Sequence, residues 1–207
     1  MRETIERDGV VRHGLARGLI NARALARSIQ RANPRDTSFE AILSAIRRYP
    51  IYDISENRLA IAKMILKISM KNNIVVVSLQ NQPEAQLAVA RFTGEVDYTQ
   101  GQTFRIVSGT EMVSVTIDSK NVAKLESKVP KERIRRQLRN LAELVIDMAP
   151  EVESTTGVLS AITTELEMND VNIVQMSSVG PGRIVILVNE TDATKAYQSL
   201  EALSKTK

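Results

Sequence analysis

The spacing of apolar positions indicates a helical segment at the N-terminus, followed by a different kind of fold. In two early stretches, apolar residues recur every three or four positions, as they do along the buried face of a helix. These residues are Ala22, Leu25, Ala26 and Ile29, and then Phe39, Ile42, Leu43 and Ile46. With a first helix over about residues 5–16, the pattern predicts three short helices. Asn21 is the expected N-cap of the second, and Thr37 and Glu40 form the capping box of the third. A fourth helix is predicted over residues 58–68.

From residue 73 onward the pattern becomes strand–helix–strand–strand–helix, and this order occurs twice. The first copy has strands at residues 74–79, 103–108 and 112–117 and helices at 83–92 and 120–128. The second has strands at 144–148, 171–177 and 183–188 and helices at 156–168 and 192–203. Residues 113–118 correspond to 184–189, and a helix follows directly in each case. This repeated order indicates two domains of one kind.

The order of elements in each copy predicts an α+β fold, with an antiparallel sheet covered by two helices on one face, the ferredoxin-like layer. The predicted domains are a helical, winged-helix or helix-turn-helix-like domain (1–70), a first βαββα domain with a basic linker helix (71–140), and a second βαββα domain (141–207). Neither copy shows an obvious fourth strand. Either the strand at 142–148 serves both copies in an exchanged arrangement, or a partner subunit supplies an edge.

The net charge of +4 is concentrated in the first 58 residues, which hold eleven arginines, no lysine and seven acidic residues. A basic helical segment of this kind attracts polyanions and predicts binding to double-stranded DNA. Arg23, Arg27 and Arg31 form a ridge suited to phosphates, with Arg35 beyond it. The side chains expected nearer to bases are Ser38, Ser44, Arg47 and Arg48. A solvated basic face, or a face that docks an acidic protein, is the alternative interpretation.

The remaining composition argues against several other classes of protein. The apolar runs are far shorter than the ~20 residues of a membrane-spanning helix, and no export signal is visible, which predicts a cytoplasmic protein without a membrane partner. The chain has no cysteine and one histidine, and it shows no phosphate-binding loop, dinucleotide fingerprint or metal-ligand spacing. We therefore expect no catalytic residues, no cofactor and no metal, and we do not expect an enzyme.

A family resemblance lies in the second copy. Residues 153–166, ESTTGVLSAITTEL, and 169–178, NDVNIVQMSS, resemble the ACT domain, most closely the ACT repeats of aspartokinase regulatory regions. The match continues through residues 183–188 and 192–203. In the first copy, Asn81-Gln82-Pro83-Glu84-Ala85 stands where the glycine loop is expected, so its assignment as ACT-like depends on element order. The layout as a whole resembles a group of archaeal proteins regarded as predicted regulators of amino-acid metabolism.

The resemblance implies a free amino acid as ligand, bound between this loop and a strand of an adjacent ACT unit. Gly157 lets the backbone approach the ligand, and the helix N-terminus offers free amides to a carboxylate. Asn172 can donate and accept hydrogen bonds, and Thr155 or Thr156 can cap the helix or donate to the ligand. Ser154, Val158, Leu159 and Ile173 are the other expected lining residues. The alternative is that these residues serve only caps and turns.

These features together predict an amino-acid-responsive regulator, in which a ligand bound at the ACT domains modulates DNA binding by the basic N-terminal domain. The alternative is an allosteric regulatory subunit of a biosynthetic enzyme that does not bind DNA. A homodimer formed through the ACT domains is expected in either case. The sequence leaves open which amino acid binds and whether it activates or represses.

Overall fold

The structure, a computed structural model, describes residues 5, 8–16, 18–32, 38–49 and 54–205. The chain divides into two compact units between Ala60 and Ile61. The first unit is helical among the described residues, and the second contains a β-sheet.

The helical unit is built from the predicted apolar faces. Its helices are α1 (Gly9–Ala16), α2 (Ala22–Ala32), α3 (Phe39–Arg47) and the start of α4 (Ile54–Met64). The buried side chains of α2 and α3 form one cluster, which contains Ile5, Ala26, Ile29, Ile42, Leu43 and Ile46. The helices predicted here are therefore confirmed where the structure describes them.

The caps of α2 and α3 are satisfied by short polar side chains. Asn21 Oδ1 accepts hydrogen bonds from the amides of Arg23 and Ala24, at 3.0 and 3.2 Å, so Asn21 is the N-cap of α2 as predicted. The N-cap of α3 is Ser38, whose Oγ accepts from the Ala41 amide at 3.3 Å. The predicted capping box included Thr37, which lies outside the described residues.

The second unit contains one six-stranded antiparallel sheet in the order β2-β3-β1-β4-β6-β5. Its strands are β1 (Ile65–Gln80), β2 (Phe104–Ser108), β3 (Met112–Asp118), β4 (Ile134–Met148), β5 (Ile173–Ser178) and β6 (Arg183–Asn189). Its helices are α5 (Pro83–Thr93), α6 (Val122–Glu126), α7 (Val158–Met168) and α8 (Ala193–Ser204). The predicted α+β class and the antiparallel sheet are confirmed. The two copies share this one sheet.

Two long strands join the copies. β1 and β4 pair from Ile65 opposite Met148 to Leu79 opposite Ile134, while β3 pairs only with the second half of β1 and β6 only with the second half of β4. The sheet therefore has two lobes. Lobe 1 comprises residues 74–139, with strand order β2-β3-β1-β4, and lobe 2 comprises residues 65–71 and 141–205, with order β1-β4-β6-β5.

This exchange supplies the fourth strand that each predicted copy lacked. The first half of β4 completes lobe 1, and the first half of β1 completes lobe 2. Among the described residues, each lobe therefore obtains its fourth strand from within this chain. The predicted boundaries at residues 70/71 and 140/141 fall inside β1 and β4, so the structure divides this part of the chain by lobes rather than by consecutive segments.

A bulge marks the point where each long strand passes from one lobe to the other. The register shifts between Lys71 and Ile74 and again between Ile74 and Val76. At these shifts Asn73 and Asn140 have φ values of 61° and 57°. Asparagine adopts this left-handed conformation more readily than most residues. Because each strand carries one extra residue at the bulge, paired side chains of β1 and β4 point to the same face of the sheet in both lobes.

The helices of each lobe cover one face of its strands. In lobe 1, the helices α5 and α6 pack on Val75, Val77, Val115 and their neighbours, and in lobe 2, α7 and α8 pack on Ala142, Leu144, Ile186 and theirs. On the opposite face a smaller cluster spans both lobes and contains Ile74, Val76, Leu141 and Leu187, all buried. This cluster packs side chains of lobe 1 against side chains of lobe 2.

One predicted helix ends earlier than expected, and one is wrong. The helix predicted over residues 58–68 ends at Met64, and β1 starts at Ile65. The basic linker helix predicted over residues 129–140 is instead a short turn (Lys131–Arg133) and the first half of β4. In both places, pairing between β1 and β4 overrides the local preference of the sequence for helix.

Candidate functional site

The turn before α7 holds most of the predicted ligand residues. Gly157 is the N-cap of α7, with φ 86° and ψ 0°, and no side chain caps the helix there. Ser154 Oγ and Thr155 Oγ1 both donate to the carbonyl oxygen of Glu151, at 3.1 and 2.8 Å. Thr156 and Gly157 are exposed. The first turn of α7 therefore presents backbone amides, which is the arrangement that binds a carboxylate at a helix N-terminus.

The two apolar residues predicted at this turn have different environments. Val158 is buried in the lobe 2 core, whereas the side chain of Leu159 is 56% exposed. Leu159 can contact a ligand or a second subunit at the turn. Val158 can do so only through its backbone.

Asn172 and Ile173 lie at the opposite end of the lobe from the turn. Asn172 is exposed just before β5, and Ile173 pairs with Val188, while the turn follows the other end of the sheet. An 11-residue helix, α7, separates the two sites, which corresponds to about 16 Å. Within one lobe the structure does not bring Gly157 and Asn172 together. A site containing both requires a second ACT-like unit.

The corresponding turn in lobe 1 is closed by side chains. Asn81 Nδ2 donates to the carbonyl oxygen of Gly109, and its Oδ1 accepts from Gln86 Nε2, both at 2.6 Å. Pro83 opens α5 after an N-cap, Gln82, that makes no side-chain hydrogen bond. This turn has no glycine, in keeping with the degenerate motif of the first copy.

Sequence reasoning missed a polar network between the lobes. Lys71 Nζ, on the lobe 2 part of β1, contacts three groups of lobe 1: Asp118 Oδ1 at 2.5 Å, the carbonyl oxygen of Gly101 at 2.7 Å and Thr103 Oγ1 at 3.1 Å. The amide of Thr103 donates to Asp118 Oδ2 at 2.8 Å. Asp118 is only 5% exposed, so its carboxylate is held by this set of donors.

Two further contacts lie at or across the boundary between the lobes. Arg105 of β2 forms an ion pair with Glu143 of β4, which is only 6% exposed. The amide of Asn73 donates to Glu190 Oε1 at 2.5 Å. A signal for one of these was present in the sequence, because Glu143 is a single acid within the otherwise apolar run at residues 141–146. A charge in such a strand is retained only with a partner.

The predicted DNA-contacting side chains lie on the helical unit and are exposed where described. Arg23, Arg27 and Arg31 follow one another along α2, and Arg47 is exposed at the end of α3. Two of the residues expected near bases are engaged with each other, since Arg48 donates to Ser44 Oγ at 3.1 Å and to the Ser44 carbonyl oxygen at 3.3 Å. The Ser38 hydroxyl is occupied as the α3 cap. Arg35 lies outside the described residues.

Two features are absent from the described part of the chain. It contains no group of three or more histidine, cysteine, aspartate or glutamate side chains placed to hold a metal ion. None of its helices is both long and apolar enough to cross a membrane.

Comparison with solved structures identifies the fold as that of aspartate kinase regulatory regions. The matches cover 68% and 69% of this chain, and because the helical unit ends at Ala60 they lie mainly in the sheet-containing unit. The aspartate kinase of Clostridium acetobutylicum matches with a TM-score of 0.58 and 19% identity over 69% of this chain and 35% of that enzyme. The ligand-free regulatory subunit of aspartate kinase from Thermus thermophilus matches with a TM-score of 0.55 and 15% identity, over 68% of this chain and 99% of that subunit.

A third match is a structure in complex with two amino acids. Aspartokinase III of E. coli in complex with lysine and aspartate has a TM-score of 0.52 and 14% identity, over 69% of this chain and 34% of that enzyme. The matched part of this chain thus spans about a third of the whole kinases and nearly all of the separate regulatory subunit. No protein-family profile and no curated protein matches the sequence. The ACT-like fold inferred from the sequence is confirmed, and the archaeal grouping and the DNA-binding domain remain predictions.

Proposed function

We propose that this chain is an amino-acid-responsive regulatory protein that acts on an associated protein rather than as an enzyme. The observation that carries the proposal is the fold of the second unit, in which two ACT-like lobes share one sheet. This fold is similar to that of a protein named as the regulatory subunit of aspartate kinase. A structure with that fold is described in complex with lysine and aspartate. This favours the regulatory-subunit alternative over the transcriptional one.

The effector binds, in this proposal, at the turn before α7. The uncapped amides of the first helical turn receive its carboxylate, and Gly157 leaves room for the ligand to approach the backbone. Ser154, Thr155, Thr156, Val158 and Leu159 surround that point. Asn172 and Ile173 of a second copy of the chain complete the site, because a single lobe keeps them about 16 Å from Gly157.

This geometry makes effector binding and dimerisation dependent on each other. A ligand that contacts two subunits binds the dimer more tightly than the monomer, and so shifts the equilibrium between them. The network that joins the lobes through Lys71 and Glu143 then passes a change at one lobe to the other. The cytoplasmic location expected from the sequence belongs to the same proposal.

Thermal-shift measurements on the full chain with each standard amino acid test the proposal. We expect at least one amino acid to raise the melting temperature, and we expect this rise to be smaller in Gly157→Val and in Asn172→Ala. Thr194→Ala, at an exposed position on α8, is the control. If no amino acid changes the melting temperature of the unaltered chain, the proposal fails. If both variants keep the shift, the effector binds elsewhere.

DNA binding by the helical unit is a second candidate. It depends on one observation, the exposure of Arg23, Arg27 and Arg31 along a single helix, with Arg47 and Arg48 exposed at the end of α3. Phosphate contacts by arginine give affinity that falls steeply with salt. A gel-shift titration at low and at moderate salt, with and without the amino acid found above, decides between the candidates. Absence of any shift at low salt leaves the regulatory subunit.

A further inference from the structure

A cavity of about 330 Å³ lies between the two lobes, away from the turn before α7. Its floor belongs to lobe 2 and includes Ser69, Glu143 and Val145, and its wall is the lobe 1 segment of Tyr98 and residues 101–105. The volume is near the lower end of ligand pockets, which are about 300–1,000 Å³, and suits a small metabolite.

The charged side chains of this cavity are balanced by carboxylates. Lys71, Arg105 and Arg183 line it, and each is paired: Lys71 with Asp118, Arg105 with Glu143, and Arg183 with Asp147 at 2.5 Å. The fixed charges therefore cancel. A site of this kind attracts a molecule that carries both signs of charge more than it attracts a net anion such as phosphate.

The ion pairs leave both hydrogen-bond donors and a hydrogen-bond acceptor available at the cavity. Arg183 uses Nε for Asp147 and Arg105 uses one terminal nitrogen for Glu143, so each guanidinium has further donors without a partner among the described residues. Glu143 receives Arg105 at Oε2 only, so Oε1 has no donor from the described part of the chain. Donors for a carboxylate and an acceptor for an ammonium group thus line one cavity.

The rest of the lining is suited to an aliphatic side chain. Val145, Val179 and Val185 contribute apolar surface between the charged groups. From this combination we infer that the cavity is a second ligand site, distinct from the turn before α7, which binds a free α-amino acid. Its guanidinium groups hold the carboxylate and Glu143 holds the ammonium. Because both lobes line the site, a bound ligand bridges them.

Methyl NMR on the full chain tests this inference directly. Titration with each standard amino acid is expected to shift the methyl signals of Val145 and Val185. Arg183→Ala should weaken that binding roughly tenfold or more, because it removes a charge-assisted partner of the carboxylate. Lys124→Ala is the matched control, since Lys124 is also 53% exposed and ion-paired, with Glu95, and does not line the cavity.

A second variant is needed because Arg105 lines the same cavity and can bind the carboxylate when Arg183 is absent. Val145→Phe fills the cavity and should abolish the shifts of Val185, while circular dichroism confirms that the sheet is retained. The inference is overturned if no amino acid shifts these methyl signals, or if Arg183→Ala and Val145→Phe leave the shifts unchanged. Shifts confined to Leu159 and lost in Gly157→Val would retain the proposed function and reject the second site.

Discussion

Replacing Asp118 tests how the two lobes are held together. In Asp118→Ala, the buried amide of Thr103 loses its acceptor and Lys71 loses its carboxylate. In Asp118→Asn, a side-chain oxygen remains for the Thr103 amide and only the ion pair is lost. Lobe 2 has Asn189 at the corresponding position, opposite Leu141 in the sheet as Asp118 is opposite Ile74. Asparagine is therefore compatible with this position in the strand.

The two substitutions should differ in cost for a reason visible in the structure. Thr103 is 6% exposed, so its amide left without an acceptor costs about 1–3 kcal/mol. The side chain of Lys71 is 38% exposed and keeps two oxygen partners, so loss of the ion pair costs about 0–1 kcal/mol. We expect Asp118→Ala to lower the free energy of unfolding by roughly 1–4 kcal/mol and Asp118→Asn by about 1 kcal/mol or less.

Urea unfolding followed by far-ultraviolet circular dichroism measures both values, since the chain has no tryptophan to report by fluorescence. The slope of the free energy against urea should stay the same in the three proteins, because the folded and unfolded surfaces are unchanged. An equal loss of stability in the two variants would refute the reasoning. It would mean that the charge of Asp118, and not its hydrogen bond to Thr103, holds the segment.

Two further predictions concern stability. Gly182→Ala should be markedly more destabilising than Gly180→Ala in urea unfolding. Both residues have positive φ, a strain of about 1–2 kcal/mol for alanine, but only at Gly182 does an added Cβ overlap the carbonyl oxygen of Met148; equal losses would contradict this. Hydrogen bonds from Lys128 and Lys124 lower the pKa of Glu95 from its usual 4.5. Its carboxylate therefore contributes stability above pH 4.5 that is lost as the pH falls through the lowered pKa. The melting-temperature difference between the unaltered chain and Glu95→Gln should shrink on acidification, and a constant difference would exclude the effect.

The sequence predicted the elements of lobe 2 closely because local patterns determine them. The helix expected at residues 156–168 is Val158–Met168, and the strand expected at 183–188 is Arg183–Asn189. Each has a clear periodicity and a turn signal at its end, such as Gly157. These features need no knowledge of distant partners.

The halves of β1 and β4 that cross between lobes could not be predicted in this way. Residues 65–71 continue an apolar run that also suits a helix, and residues 134–140 contain three arginines and a glutamine, which favour helix. Their strand conformation comes from pairing with residues far away in the sequence, from Ile65 opposite Met148 to Leu79 opposite Ile134. The cavity was missed for the same reason, because its floor and wall meet only when that pairing exists.

The register of β1 and β4 has a consequence for the ancestry of this architecture. Lys71 and Glu143 lie opposite each other on neighbouring antiparallel strands, and all of lobe 1 lies between them along the chain. Topologically, lobe 1 occupies the place of a hairpin loop, which elsewhere can be as short as two residues. A single genetic insertion or excision at that loop adds or removes lobe 1 and leaves the strand order of its host intact. Removing lobe 2 instead requires two deletions, one on each side of lobe 1 in the sequence. The two halves of this sheet are therefore unequal in how evolution can exchange them.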